Sequence, residues 1–215
     1  MTTRQTPTLS RLARWTALAV ALQALAGCAP LVLGAAAGGA FVATDRRTSG
    51  TQLEDQGIEI KAANRLRDAL NGRGHINTNA YNRKVLLTGE VPSEADRQAA
   101  EQAVARIENV QGVMNELAVM GNSSLSDRSN DVWIAGKVKA TYVDAKDVIS
   151  NAISVVVERG DVYLLGMVTE REGNRAAELA AGVKGVHKVV KLFQILTEEE
   201  LANKLPTPAP AAASK

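Results

Sequence analysis

Cys28 is the only thiol in the 215 residues, and it stands directly behind the small-residue run Leu25, Ala26, Gly27. Its thiolate would be the form available for nucleophilic, redox or metal chemistry, so the setting of this residue decides which of these the chain can do. The other reactive groups are scattered. His75 and His187 are the only histidines, lie far apart, and fit no metal-ligand spacing such as H-E-x-x-H, so both read as surface residues and no metal site is expected. Asp144 with Asp147, and Glu170 with Glu172, bring carboxylates close in sequence, but exposed helix ends and caps account for them. Neither a G-x-S-x-G elbow nor a phosphate-cradling G-x-x-x-x-G-K occurs. No catalytic residue and no cofactor is expected, and the chain reads as non-enzymatic.

What precedes Cys28 explains it. Arg4, Arg11 and Arg14 occur with no acidic residue, followed by the apolar run 15–25, interrupted only by Thr16 and Gln23. A positive n-region, a short apolar h-region and small residues before a cut are the layout of a secretory signal. The apolar run is about 11 residues, too short for a membrane-crossing helix, which needs about 20. The segment 1–27 is therefore expected to be removed. The site resembles the processing site of bacterial lipoproteins, in which the cut falls before the cysteine and the sulfur takes a diacylglycerol. Cys28 is then the lipidation residue, and its sulfur is lost to disulfide, redox or catalytic use. Ala29, in place of an aspartate, resembles the sorting pattern of lipoproteins forwarded to the outer membrane.

The bulk numbers narrow the rest. The formal charge of +2 includes the three n-region arginines, so the processed chain is near neutral and no nucleic-acid partner is expected. About 190 residues would remain, enough for one ordinary domain or two small ones. Residues 28–53, rich in Ala and Gly and then in Thr and Ser, read as a tether. Aromatics make up only 3%, and Trp133 is the single tryptophan outside the signal.

After the tether the chain repeats itself. Val85, Leu86, Leu87, Thr88, Gly89, Glu90, Val91 correspond to Val162, Tyr163, Leu164, Leu165, Gly166, Met167, Val168; Asp55 and Ile58 correspond to Asp131 and Ile134. Val110, Gly112 and Val113 are matched with Val183, Gly185 and Val186, which leaves the first copy about one helical turn longer and implies helices of different length. In the second copy the spacing predicts a helix over 130–143 with Ile134, Val138 and Tyr142 inward. A strand at 153–157, a tight turn at 158–161 and a strand over 162–168 follow. Thr169 and Glu172 form a capping box that starts a helix, and a strand over 186–196 closes the copy. The first copy reads as a helix over 57–70, strands at 76–81 and 84–91, a helix over 93–107 and a strand over 113–120. The fold class is α/β in the α+β sense, each copy α-β-β-α-β with two helices on one face of a three-stranded mixed sheet. The expected boundaries are 54–121 and 130–197, with 122–129 a polar linker and 198–215 a disordered Pro/Ala-rich tail. A copy of this size buries little of its own surface, so the two gain by docking. The strand face carrying Leu86, Thr88 and Glu90 is half polar, whereas Tyr163, Leu165 and Met167 make an apolar patch, the expected inter-domain contact.

This unit, with Gly89 and Gly166 in its strands and the later Gly-Val pairs, resembles the BON domain of bacterial envelope proteins. The tandem behind Cys28 resembles the dual-BON-domain outer-membrane lipoproteins, the division- and outer-membrane-stress-associated lipid-binding family. The resemblance covers about 28–196 and is most specific at Gly50, Thr51, Gln52; at 79–81 with 84–87; at Asn130, Asp131, Trp133, Ile134; and at 168–172. It implies a lipid-anchored, periplasm-facing outer-membrane protein whose second domain binds anionic phospholipid, with envelope-assembly or division proteins as further partners.

Opposite Ile134, Val138 and Tyr142, the helical period groups Trp133, Gly136, Lys137, Ala140 and Val143. An outward indole beside small residues suits the boundary between headgroups and acyl chains. Lys137 and Lys139 add attraction to anionic headgroups, about 1 kcal/mol for each basic residue at the surface. Lys184, His187, Lys188 and Lys191 form a second basic group around the last strand, read as an auxiliary contact.

Overall fold

The computed structural model describes residues 45–204. Cys28, the signal-like segment, most of the expected tether and the tail from 205 onward lie outside the described residues.

The first helix, α1 (Ser49–Leu70), starts where the Thr48 side chain accepts a hydrogen bond from the Thr51 N–H, and stops at Asn71 in the left-handed region (φ 51°). Its buried stripe is Asp55, Ile58, Ala62, Leu66 and Leu70. It begins about two turns earlier than the apolar spacing predicts, inside the stretch read as tether, because Thr48 supplies a cap there. Strands β1 (His75–Tyr81) and β2 (Lys84–Val91) pair antiparallel. After α2 (Glu94–Ala105), capped by Ser93, β3 (Gly112–Asn115) and β4 (Ala118–Val119) pair parallel to β2 in one continuous register. The expected single strand over 113–120 is thus interrupted, and Leu117 is buried at the break.

The second copy runs α3 (Leu125–Asp144), a 3₁₀ turn (Ser150–Ala152), β5 (Ile153–Glu158), β6 (Asp161–Val168), α4 (Glu170–Ala181) and β7 (Lys188–Ile195), with β6 antiparallel to β5 and parallel to β7. The expected linker 122–129 is mostly the first turns of α3: Ser124 and Asp127 make a reciprocal capping box. The expected disordered tail is also corrected at its start, where α5 (Glu198–Lys204) buries Leu201.

One device fixes the hairpin of each copy. Both carboxylate oxygens of Asp55 accept from the turn, Asn82 N–H at 2.7 Å and Arg83 N–H at 2.8 Å; Asp131 accepts from Arg159 N–H and Gly160 N–H, both at 2.8 Å. The four turn residues have positive φ, as a two-residue primed turn requires. A buried helix carboxylate therefore satisfies two turn donors and locks helix to hairpin.

The expectation of unequal helices is overturned. α2 and α4 have 12 residues each. Val113 pairs with Val85, and Val189, not Val186, pairs with Val162. The two Gly-Val pairs are not equivalent: Gly185 (φ 103°) takes the left-handed position that Asn109 (φ 68°) holds in the first copy. Gly89 and Gly166 have a true structural reason, since a Cβ would come within 2.0 Å of the His75 carbonyl oxygen and 2.6 Å of that of Ala152.

Three apolar clusters result. In the first, α1 and α2 cover Val85, Leu87 and Val91; in the second, α3 and α4 cover Val162, Leu164 and Val168. The third joins the opposite faces of the two sheets: Tyr81 and Leu86 with Tyr163, Leu165, Met167, Leu196 and Leu201. The polar half of the first sheet's face is buried as well, both Thr88 and Glu90 being fully inaccessible. Burial raises the proton affinity of Glu90, but donation from Ser123 and from Arg159 outweighs it and holds the carboxyl below its ordinary range.

A second buried ion pair reaches this region from the start of the described chain. Both Arg46 guanidinium nitrogens Nη1 and Nη2 donate to Glu172 at 2.7 Å, and Nη1 also donates to the Met167 carbonyl at 2.8 Å. Glu172 simultaneously accepts from the Thr169 N–H, so the helix cap and the clamp share one carboxylate. The reading of Glu172 as an exposed cap is corrected to a buried, paired one. Asp147 pairs with Arg175 at 2.8 Å, while Asp144 and Glu170 are exposed.

Two outcomes follow from the packing. Leu165→Ala should lower unfolding free energy by about 2–5 kcal/mol in urea titrations, the cost of a large-to-small change at a fully buried site. Arg46, then Thr169, hold the Glu172 carboxyl below its ordinary range against the opposing effect of burial. The stability it contributes is present above the unfolded carboxyl pKa of about 4.3 and is lost as pH falls through the lower folded value. Glu172→Gln should therefore cost about 3 kcal/mol at pH 7 and make the acid limb of a stability-against-pH curve shallower.

Candidate functional site: the outer face of α3

The inward side of α3 is used up by the core: Ile134, Val138 and Tyr142 are buried, and the Tyr142 hydroxyl donates to the Ala176 carbonyl at 2.9 Å. Because these residues recur at four-residue spacing, the helix cannot turn its other side inward as well. That other side is apolar even so. Leu125 is 79% exposed, Val132 73%, Trp133 68% and Val143 71%. Along a helical period they share one half of the cylinder with Gly136 and Ala140, both exposed. An apolar stripe on the solvent side of a helix whose core side is already satisfied is not required by folding.

The flanking charges differ from one another. Lys139 is exposed on one side of the stripe. Lys137, on the other side, is half-buried, and its ammonium donates to the Lys184 carbonyl in the loop before β7. Expected as a free headgroup contact, it is tied instead to the neighbouring loop and forms the rim of a groove of about 630 Å³ between α3 and α4. A Cβ on Gly136 would meet nothing within 4 Å, which marks open surface.

In the second basic group, Lys184 and Lys188 are exposed, Lys191 donates to Asn174 at 3.0 Å, and the His187 ring lies 3.0 Å from the Arg159 carbonyl. His187 is a surface residue, whereas His75 is not: its side chain is only 24% accessible. Tyr163, Leu165 and Met167 are all buried in the cluster between the sheets. No helix among the described residues is long and apolar enough to cross a membrane.

Leu125 and Val132 belong to the exposed face although the sequence reading did not include them. Beginning the helix at 130 hid Leu125; the S-x-x-D spacing of Ser124 and Asp127 was the available signal.

With two α-β-β-α-β copies and their shared hairpin device established, comparison with known proteins decides the lineage. A family model for the BON domain matches residues 54–121 and 130–197. The chain belongs to the BON-domain family. It is 39% identical over 192 residues to the outer membrane lipoprotein DolP of Haemophilus influenzae, covering 88% of this chain and 99% of that protein. It is 34% identical over 151 residues to a 21 kDa hemolysin of Actinobacillus pleuropneumoniae, covering 69% and 78% of the two chains. A structural protein of the type III secretion system of Chlamydia trachomatis aligns over 66% of this chain and 95% of its own with 11% identity and a TM-score of 0.28, a likeness too slight to build on. The two BON domains differ at the face in question: Gly57 and Ile60 of the first stand where Trp133 and Gly136 stand in the second.

An exposed glycine in mid-helix weakens α3. Gly136→Ala should raise stability by roughly 0.5–1 kcal/mol in thermal unfolding, because the added methyl meets no neighbour and the helix gains propensity.

Proposed function

We propose that the protein is a non-enzymatic, lipid-anchored envelope protein that lays the outer face of α3 on anionic phospholipid. The observation that carries this is the exposed stripe Leu125, Val132, Trp133 and Val143 on a helix whose opposite side is fully engaged in the core. Apolar side chains enter the headgroup boundary while Lys139 stays in water beside it, the arrangement of an interfacial helix. Lys137 contributes from the rim, and Gly136 and Ala140 let the helix backbone approach the bilayer closely. The similarity to an outer membrane lipoprotein over nearly its whole length supports acylation at Cys28 and an outer-membrane, periplasm-facing location. It also supports a role in envelope integrity, with assembly or division proteins as further partners. A diacylglycerol at Cys28 would hold the chain to a bilayer without fixing which face meets it, a task the α3 contact would perform.

The test uses the chain with Cys28→Ser, so that acyl groups cannot contribute, and flotation with vesicles of anionic or neutral phospholipid. Binding to the anionic vesicles is expected, weakening as salt screens Lys139. Trp133→Glu should reduce it at least tenfold with unchanged circular dichroism. Undiminished binding by that variant defeats the proposal, and absence of binding by the Cys28→Ser chain with Trp133 intact favours an adaptor that meets only protein partners.

A further inference from the structure

Where the edges of the two sheets meet, three ligand-type side chains converge that the membrane face does not use. His75 opens β1 and pairs across the ladder with Glu90 near the end of β2, while Glu158 closes β5 in the other domain. One donor atom of each lies within 4.8 Å of the other two. His75 Nδ1 is 3.6 Å from Glu90 Oε2, and among the described residues it is sealed from solvent and has no hydrogen-bond partner. A buried ring nitrogen without a partner is costly, and the two carboxylates beside it are themselves almost wholly buried.

We propose that His75, Glu90 and Glu158 form a divalent transition-metal site of the zinc class that joins the two BON domains. One imidazole and two carboxylates are a donor set that zinc accepts, with water completing the coordination. Bonds of about 2.0–2.1 Å put tetrahedral ligands about 3.3–3.4 Å apart, close to the separation of His75 and Glu90. The Glu158 donor, within 4.8 Å of the other two, would have to approach by a side-chain rotation. The outer contacts that orient metal ligands are in place: Ser123 N–H and Oγ donate to Glu90 Oε2, Arg159 donates to its Oε1, and Asn77 donates to Glu158 at 3.0 Å. Arg159 pairs with Glu90 and Arg128 lines the same groove but donates to Ser123, so neither guanidinium pairs with the Glu158 carboxylate beside it. A groove of about 590 Å³, lined by His75, Asn77, Arg128, Asp131 and Glu158 among others, gives ion and water a route from solvent. The spacing of histidines in the sequence could not reveal this set, because its members come from three strands of two domains.

The test takes the full chain, stripped with chelator and dialysed, and adds zinc chloride alone, followed by calorimetry and thermal unfolding. One zinc ion per chain is expected, with a rise in Tm of about 5–10 °C at a hundredfold excess over Kd. His75→Ala and Glu158→Gln should each abolish both effects while circular dichroism is unchanged. His187→Ala should retain both. Stoichiometric zinc in the His75→Ala chain, or none in the unsubstituted chain, overturns the proposal; His75→Ala decides the matter should Glu158→Gln not fold.

Discussion

The two sheets can hide their second faces only against each other, and this constraint organises the molecule. Each BON domain covers one face of its sheet with two helices and leaves the other to the cluster in which Leu86 and Tyr81 of one domain meet Tyr163, Leu165 and Met167 of the other. Once the sheets meet, the helices are forced to the outside. The core-facing side of α3 is fixed by Ile134, Val138 and Tyr142, so Trp133 and its neighbours must look outward. The exposed apolar stripe on α3 is in this sense a by-product of how the domains dock.

The order of elements was readable because both domains advertise the same periods: four-residue spacing in α1 and α3, alternation in β5, and a capping box at α4. The apolar patch on β6 was readable for the same reason. Element starts were less so. α1 and α3 both begin in polar sequence held by a cap, and apolar periodicity is silent there. The equivalence of the two Gly-Val pairs was misread because identical residues outweighed register; Asn109 adopts the left-handed backbone that Gly185 adopts in its counterpart.

Long-range polar chemistry was the least legible part. Asp55 and Asp131 stood out as a repeated residue, but their grip on hairpin turns appears only when helix and turn are brought together. Glu90 read only as part of a half-polar strand face and is in fact sealed, its charge met by Arg159 and Ser123. Glu172 read as an ordinary cap, since its partner Arg46 lies more than half the chain away. A sequence shows which residues can carry charge, whereas the neighbour that makes burial tolerable is set by topology.

The Arg46 clamp changes what a leash from the amino-terminal side can do. Because the guanidinium is fastened to the second BON domain, the acyl anchor proposed at Cys28 would be measured from that domain and not from α1, and even a fully stretched 29–45 would span only about 60 Å. Within that radius such an anchor would hold the second domain at high effective concentration beside the surface it occupies, so that a weak encounter would suffice to keep it there. Releasing the guanidinium would lengthen the leash and dilute the domain without altering a single residue at the point of touch.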